Sequence, residues 1–274
     1  ENLLRKQLQR WFGWQLPSGL LRYLTQMIHQ ESLFFILPFF FITTDWYSGQ
    51  ALFTGLLCAC ALIAIIDPLY YGKLAPRRGL YLSFHSLTLF ALLLTAMPII
   101  LHLTTAQSYP LALTVAVALS LISLLSQLKA RRWQQRLALL GLTLLLGLGG
   151  WLGRGWVPPA SLWLTDVAVS SERNGREAGA PLQQISQAQL HAGLYAFTAI
   201  NAPRGLNERI YHVWLQNGKE RDRIALNIQG GREAGYRAWT RKQNFPAEAQ
   251  GKWQVKVLTE AGQVLGSLHF QVTP

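Results

Sequence analysis

The sequence predicts an α-helical transmembrane bundle of about five spans, followed by an all-β, Ig-like antiparallel sandwich. Three observations carry this. The composition breaks near residue 160, with long Leu-, Phe- and Ala-rich runs before it. After the break the pattern changes to period-two alternation with Gly-containing turns. Between the apolar runs, Lys and Arg fall only in alternate loops. The chain has 274 residues, half of them hydrophobic and 14% charged, which is apolar for a soluble protein of this size.

Residues 1–27 form the first unit, a cytoplasmic or interfacial amphipathic segment. In "ENLLRKQLQRWFGW", Leu4, Leu8, Trp11 and Phe12 share one helical side, with Arg5, Lys6, Gln9 and Arg10 largely away from it. Such a helix suits the anionic inner leaflet of a bilayer. These residues contain no continuous apolar run, so no cleavable signal peptide is expected.

Residues 28–159 form the bundle, with candidate spans at 28–47, 51–71, 80–104, 109–128 and 137–153. Each is near the roughly 20 residues that a hydrocarbon core requires. A large soluble helical core is the competing reading, but the runs lack a polar face. The last span carries Gly141, Gly147, Gly149 and Gly150, which permit close helix packing. Cys58 and Cys60 lie two apart on one run and point in different directions, so two packed thiols and no disulfide are expected.

Orientation follows from the loops. Arg5, Lys6, Arg10 and Arg22 precede the first span. Lys73, Arg77 and Arg78 follow the second, and Lys129, Arg131, Arg132 and Arg136 follow the fourth. The other two loops carry none, so the N-terminus is placed in the cytoplasm of a bacterial cell and the C-terminal domain, after five crossings, in the periplasm. The net charge of +12 then reflects topology and calls for no nucleic-acid partner.

Polar residues within spans are functional candidates. Glu31, Asp67 and His85, with His29, fall near the cytoplasmic ends and can converge in one layer; Asp45 and His102 lie near the outer ends. Such a layer suits an ion or proton relay, or a structural pair such as Asp67–His85. No cofactor is expected: bis-His haem ligation needs paired His at matched depth near both faces, and the sequence lacks them.

Residues 160–274 form the β domain, with strands expected at 163–170, 193–201, 209–216, 221–229, 235–242, 252–258 and 263–272. Asn217-Gly218 between two alternating runs is a hairpin signal. The stretch "SSERNGREAGAPLQQISQAQLHAG" reads as a loop or covering segment. Tyr211, Val213, Leu215, Ile224, Leu226, Ile228, Trp253, Val255, Val257, Phe270 and Val272 read as core. The opposite faces of two strands then carry His212 with Trp214, and Arg237, Trp239 and Arg241. Indoles stack on sugar faces and hold cations, and arginines clamp carboxylates and phosphates. These five residues are the candidate binding strip; the bland alternative is that the indoles are core with arginines packed over them.

The segments "IYHVWLQNGKERDRIAL", "YRAWTRK" and "GKWQVKVLTEAGQVLGSLHFQV" together resemble a bacterial family, domain of unknown function 2914, over roughly residues 205–272. The multi-span part resembles the membrane region found with such domains. The resemblance implies an envelope location; it carries no activity and no catalytic residue.

No Ser-His-Asp order, HExxH or phosphate-binding Gly loop is present, and the β domain has no Cys. An enzyme is not expected, and no metal site is. The expected function is that of an inner-membrane-anchored binding or assembly protein, whose partners are the lipid bilayer and an envelope protein or glycan, alone or as a homo- or hetero-oligomer. The alternative is a transporter or redox subunit working through Glu31, Asp67 and His85.

Overall fold

The computed structural model describes residues 17–127, 133–173, 177 and 179–274. Residues 1–16 of the amphipathic segment and the loop cations Lys129, Arg131 and Arg132 lie outside the described residues, while residues 18–27 of that segment open the first helix. The helical half comprises α1 (Ser18–Thr43), α2 (Gln50–Ile65), α3 (Arg78–Ile100), α4 (Thr105–Gln127) and α5 (Trp133–Leu152). A short helical segment, Asp67–Leu74, links α2 to α3. Among the described residues, three helices are by length and composition apolar enough to cross a membrane: Arg78–Ile100, Thr105–Ser123 and Leu137–Trp156. The pair Gln50–Ile65 and Asp67–Leu74 makes a fourth if taken as one span. Helix α1, which carries Arg22, His29, Gln30 and Glu31, is not among them.

Two helices differ from the expected runs. Helix α1 begins ten residues early because its polar positions are turned inward: Gln26, His29, Leu33, Ile36, Phe40 and Thr43 recur at three- and four-residue steps and are buried. The expected continuous run over 51–71 is instead bent by 97°. Pro68 causes the bend, since it has no N–H to offer the Ala64 carbonyl four residues back. Ile66 is extended, with φ −87° and ψ 98°. The freed Ala64 carbonyl accepts from Gln26 Nε2 at 2.9 Å and Gln30 Nε2 at 2.7 Å. Two side chains of α1 thus replace the hydrogen bond that the proline removes.

The C-terminal half is a β domain of two sheets. One has the order β1-β3-β6, with β1 Trp163–Ser170, β3 Leu194–Asn201 and β6 Tyr236–Lys242. The other has the order β2-β8-β7-β4-β5, with β2 Gln184–Ser186, β4 Asn207–Gln216, β5 Lys219–Gln229, β7 Gly251–Thr259 and β8 Val264–Thr273. Strand β2 comes from the stretch expected as loop and pairs parallel with β8. The seven expected strands are all present within two residues at each end. Side chains of both sheets share two core clusters, one around Trp214, Trp253 and Phe270, the other around Ile200, Ile210 and Val257.

One irregularity decides which side chains enter that core. After the Asn217-Gly218 turn, Gln216 pairs with Lys219 and Leu215 with Glu220, but Trp214 pairs with Asp222. Arg221 is the extra residue of a β-bulge. The one-residue slip exchanges the faces of β4 relative to β5. His212 stands beside Ile224 and Ile210 beside Leu226, all facing the smaller sheet. Tyr211, Val213 and Leu215 therefore lie on the other face, although Val213 and Leu215 are buried there, as expected of core residues, and Arg223 packs over Tyr211 at 5.5 Å.

Candidate functional site

The expected binding strip divides in two. His212 and Trp214 are 0% exposed and point into the core. His212 Nδ1 lies 2.7 Å from Thr240 Oγ1, and Nε2 3.1 Å from Thr198 Oγ1. The imidazole therefore joins β4 to both β6 and β3 of the other sheet. Desolvation lowers its pKa to about 4, so it stays neutral. Trp214 packs edge-on against Phe245 and Phe270. Neither residue reaches solvent, which corrects their placement on an outer face; the bulge at Arg221 is the cause.

Arg237, Trp239 and Arg241 do share an outer face. Cross-strand register places Arg237 beside Ala199, Trp239 beside Phe197 and Arg241 beside Tyr195. The Trp239 ring lies 4.5 Å from that of Phe197. Arg241 stands 5.3 Å over the Tyr195 ring and Arg173 stands 6.0 Å from Trp239. Arg237 and Arg241 are exposed and Trp239 is half-buried. This face offers a rigid aromatic floor flanked by guanidinium groups, an arrangement suited to rings and anions.

In the helical half, the expected polar layer forms with different pairings. His29, 2% exposed, lies 2.9 Å from His85 Nδ1 through its Nε2 and 2.8 Å from the Tyr70 hydroxyl through its Nδ1. Asp67 accepts from Gln26 Nε2 at 2.7 Å, so the expected Asp67–His85 pair is replaced by His29–His85 and Gln26–Asp67. Glu31 is exposed on the opposite side of α1 from His29 and does not join. Among the described residues, no group of three or more His, Cys, Asp or Glu side chains is placed to hold a metal ion.

A third polar cluster, which sequence reasoning missed, fixes the β domain to the helix ends. Glu208, 2% exposed at the start of β4, accepts from the Thr105 backbone N–H at 2.8 Å and the Thr105 hydroxyl at 2.5 Å. A carboxylate from one domain thus caps the first residue of α4 in the other. Desolvation raises the Glu208 pKa, and the bonds from Thr105 partly counter it. Gln50 Nε2 donates to the Val264 carbonyl at 2.7 Å. Gln263 Nε2 donates to the carbonyls of Val157 and Pro158 at 3.2 and 3.0 Å. Ala261, in the β7–β8 turn, joins the apolar cluster of the helices. The only sequence signal was polar residues at strand and helix ends, which is indistinguishable from ordinary solvated termini.

These features define a class: a bundle of long apolar helices with a two-sheet β domain seated on its end. Within it, the chain belongs to the family of unknown function DUF5924, which matches residues 1–196. The protein of unknown function DUF2914 matches residues 207–272, confirming the resemblance seen in the sequence. The first match runs past the composition break, through β1 and β2 and into β3. No curated protein matches the chain.

Proposed function

We propose that this chain is a five-span bacterial inner-membrane protein that holds an Ig-like sandwich rigidly on the periplasmic side, where its Arg237–Trp239–Arg241 face docks an acidic envelope protein or glycan. The single observation that carries this is the outward row of Arg237, Trp239 and Arg241 over Tyr195 and Phe197. Unpaired, desolvated arginines would be costly, and this face keeps its guanidinium groups at solvent while stacking two of them on rings. The alternating loop cations support the orientation. Trp46, Tyr47 and Trp156, exposed near the outer helix ends, suit an interfacial aromatic belt. Helix α1 serves as the first span, with its polar residues turned inward. A transporter or redox subunit is less well supported, because Glu31, Asp67 and His85 do not converge on one point.

Photo-crosslinking in cells from a reactive aromatic amino acid at position 239 tests the docking face. An adduct that disappears in Arg237→Ser with Arg241→Ser, while membrane insertion and melting stay unchanged, supports it. An adduct indifferent to both arginines removes the docking role. Topology is read separately: alkaline phosphatase fused after Pro274 should be active, and green fluorescent protein at the same place dark.

A further inference from the structure

The β domain carries a polar cavity at its end remote from the helices. Strand β4 runs from Glu208, at the helix junction, to Gln216, roughly 26 Å away at about 3.3 Å per residue. There the β4–β5 hairpin, the 3-10 helix Gln187–Ala192 and the loop over residues 243–250 surround an open cavity of about 640 Å³. That is within the range of small-ligand sites, roughly 300–1,000 Å³. The loop has no strand or helix of its own, yet four consecutive carbonyls in it accept from side chains. The Ala247 carbonyl accepts from Gln187 Nε2, those of Glu248 and Gln250 from Gln216 Nε2 at 2.7 and 3.1 Å, and that of Ala249 from Trp253 Nε1 at 2.7 Å. At the hairpin, the Asn217 N–H donates to the Lys252 carbonyl at 2.8 Å and the Lys252 N–H to Asn217 Oδ1 at 3.0 Å. The walls are thus held in one shape by the chain itself.

Four amides line the cavity, those of Gln187, Gln216, Asn217 and Gln250. Lys219 and Arg221 supply two cations and Glu248 a carboxylate. Arg221 is the extra residue of the bulge, and a bulge re-aims the side chain that it carries. The carboxylates beside the two cations are already engaged: Glu220 pairs with Arg223 at 3.0 Å and Asp222 with Lys242 at 2.9 Å. Among the described residues, Lys219 and Arg221 have no ion-pair partner. Gln216 is 5% exposed. Its amide nitrogen is committed to the loop, and its Oε1 accepts from no group among the described residues. A buried acceptor without a donor is costly. The cavity thus combines two unanswered cations with one unanswered acceptor.

We propose that this cavity binds the carboxylate end of a short peptide that also bears an amino group. Lys219 and Arg221 take the carboxylate, which the guanidinium matches with two parallel N–H bonds. Side-chain amides carry a donor and an acceptor together, the complement of a peptide group. Glu248 takes the amino group, and a peptide N–H supplies the donor that Gln216 Oε1 lacks. A bare anion such as phosphate satisfies the cations but leaves Gln216 Oε1 and Glu248 unanswered. Among the described residues, no aromatic side chain lines the cavity, so a sugar ring finds no stacking floor. The site shares no residue with the Arg237–Trp239–Arg241 face and does not depend on that reading.

The test titrates the full-length chain in detergent with N-acetyl-Lys-Ala-Ala, read by calorimetry at low salt. Wild type is expected to bind it, and to bind the same peptide with an amidated C-terminus about tenfold more weakly or worse. Lys219→Ser with Arg221→Ser is expected to lose the peptide with unchanged melting, since both side chains are exposed and unpaired in their own chain. The amide comparison needs no variant, so it decides the matter even where the double variant melts early. Glu248→Gln should weaken this peptide and leave N-acetyl-Ala-Ala-Ala unchanged. Arg237→Ser should change nothing. No binding by wild type, equal affinity for acid and amide, or binding indifferent to the two cations would each overturn the proposal. So would glucuronic acid or phosphate binding as tightly as the peptide, or loss of the peptide in Arg237→Ser, which would move it to the outer strip. Failure of the peptide at the cavity leaves the docking role of that strip standing.

Discussion

Trp214 and Trp239 stand on strands that read alike in the sequence, yet one indole is sealed in the core and the other stacks on an outer face. Trp214 is 0% exposed beside Phe245 and Phe270, while Trp239 lies half-buried over Phe197. Alternation supplies two faces per strand but does not say which is inner; that depends on the register with the next strand. In β4 the register contains a bulge, and in β6 it does not. The difference teaches that an aromatic in a period-two strand is assigned a face only when its partner strand is aligned residue by residue.

The largest expected effect is at the sealed indole. Trp214→Ala should destabilise the β domain by about 3–5 kcal/mol, the usual cost of emptying a large core site. Hydrogen exchange of the β4 and β7 amides in the full-length protein measures it. A loss below about 1 kcal/mol would mean that the two indoles are not energetically distinct.

The helices and strands were legible because their periods are set by local geometry, 3.6 for one and 2 for the other. The break after α2 was not legible in the sequence, which reads as one run over 51–71, and the replacement of the bond missing at Pro68 by Gln26 and Gln30 depends on a helix some forty residues earlier. Arg237, Trp239 and Arg241 were placed correctly together because β6 is regular. His212 and Trp214 were misplaced because the Asn217-Gly218 turn fixes a hairpin but not the bulge three residues beyond it. Glu208 was missed because a buried carboxylate that caps a helix of another domain has no spacing to betray it.

Acid should separate the two sheets' anchor from the domain junction. His212 has a folded pKa lowered to about 4 against an ordinary 6.5. The unfolded chain therefore binds a proton in that window and the folded one does not. Stability is full above pH 6.5 and falls as pH drops toward 4, by about 3 kcal/mol in all. Denaturant unfolding across that range should show the slope, and His212→Gln should flatten it. Glu208 works with the opposite sign. Its pKa is raised by burial, so its contribution is present at low pH and lost as pH rises through the folded value. Limited proteolysis of the β7–β8 turn should therefore slow, not quicken, on mild acidification, provided that the β domain stays folded.

Glu208→Ala leaves the Thr105 N–H and hydroxyl without their acceptor, at about 1–3 kcal/mol for each buried group. The loss should appear as faster exchange at the start of α4 and in the β7–β8 turn, with the Trp214 region unaffected. Glu208→Gln, which keeps an acceptor oxygen, should cost less. The smallest effect belongs to the outer indole: Trp239→Ala should shift unfolding by about 1 kcal/mol or less, the range of an aromatic contact beyond its area. A loss equal to that of Trp214→Ala would make Trp239 a core residue and empty the docking face of its floor.

The turn that carries Ala261 has a consequence for the order in which the molecule assembles. Gln50 and the Val264 carbonyl are 214 residues apart, and Glu208 and Thr105 are 103 apart. Contacts that close such long loops form late. The helices precede the strands in the chain, yet the apolar cluster at their ends lacks Ala261 until the β7–β8 turn has been made and the strands around it have paired. The bundle is thus open until the β7–β8 turn seats on it, and a variant in which β8 cannot pair should leave the helices inserted but unfinished at that end.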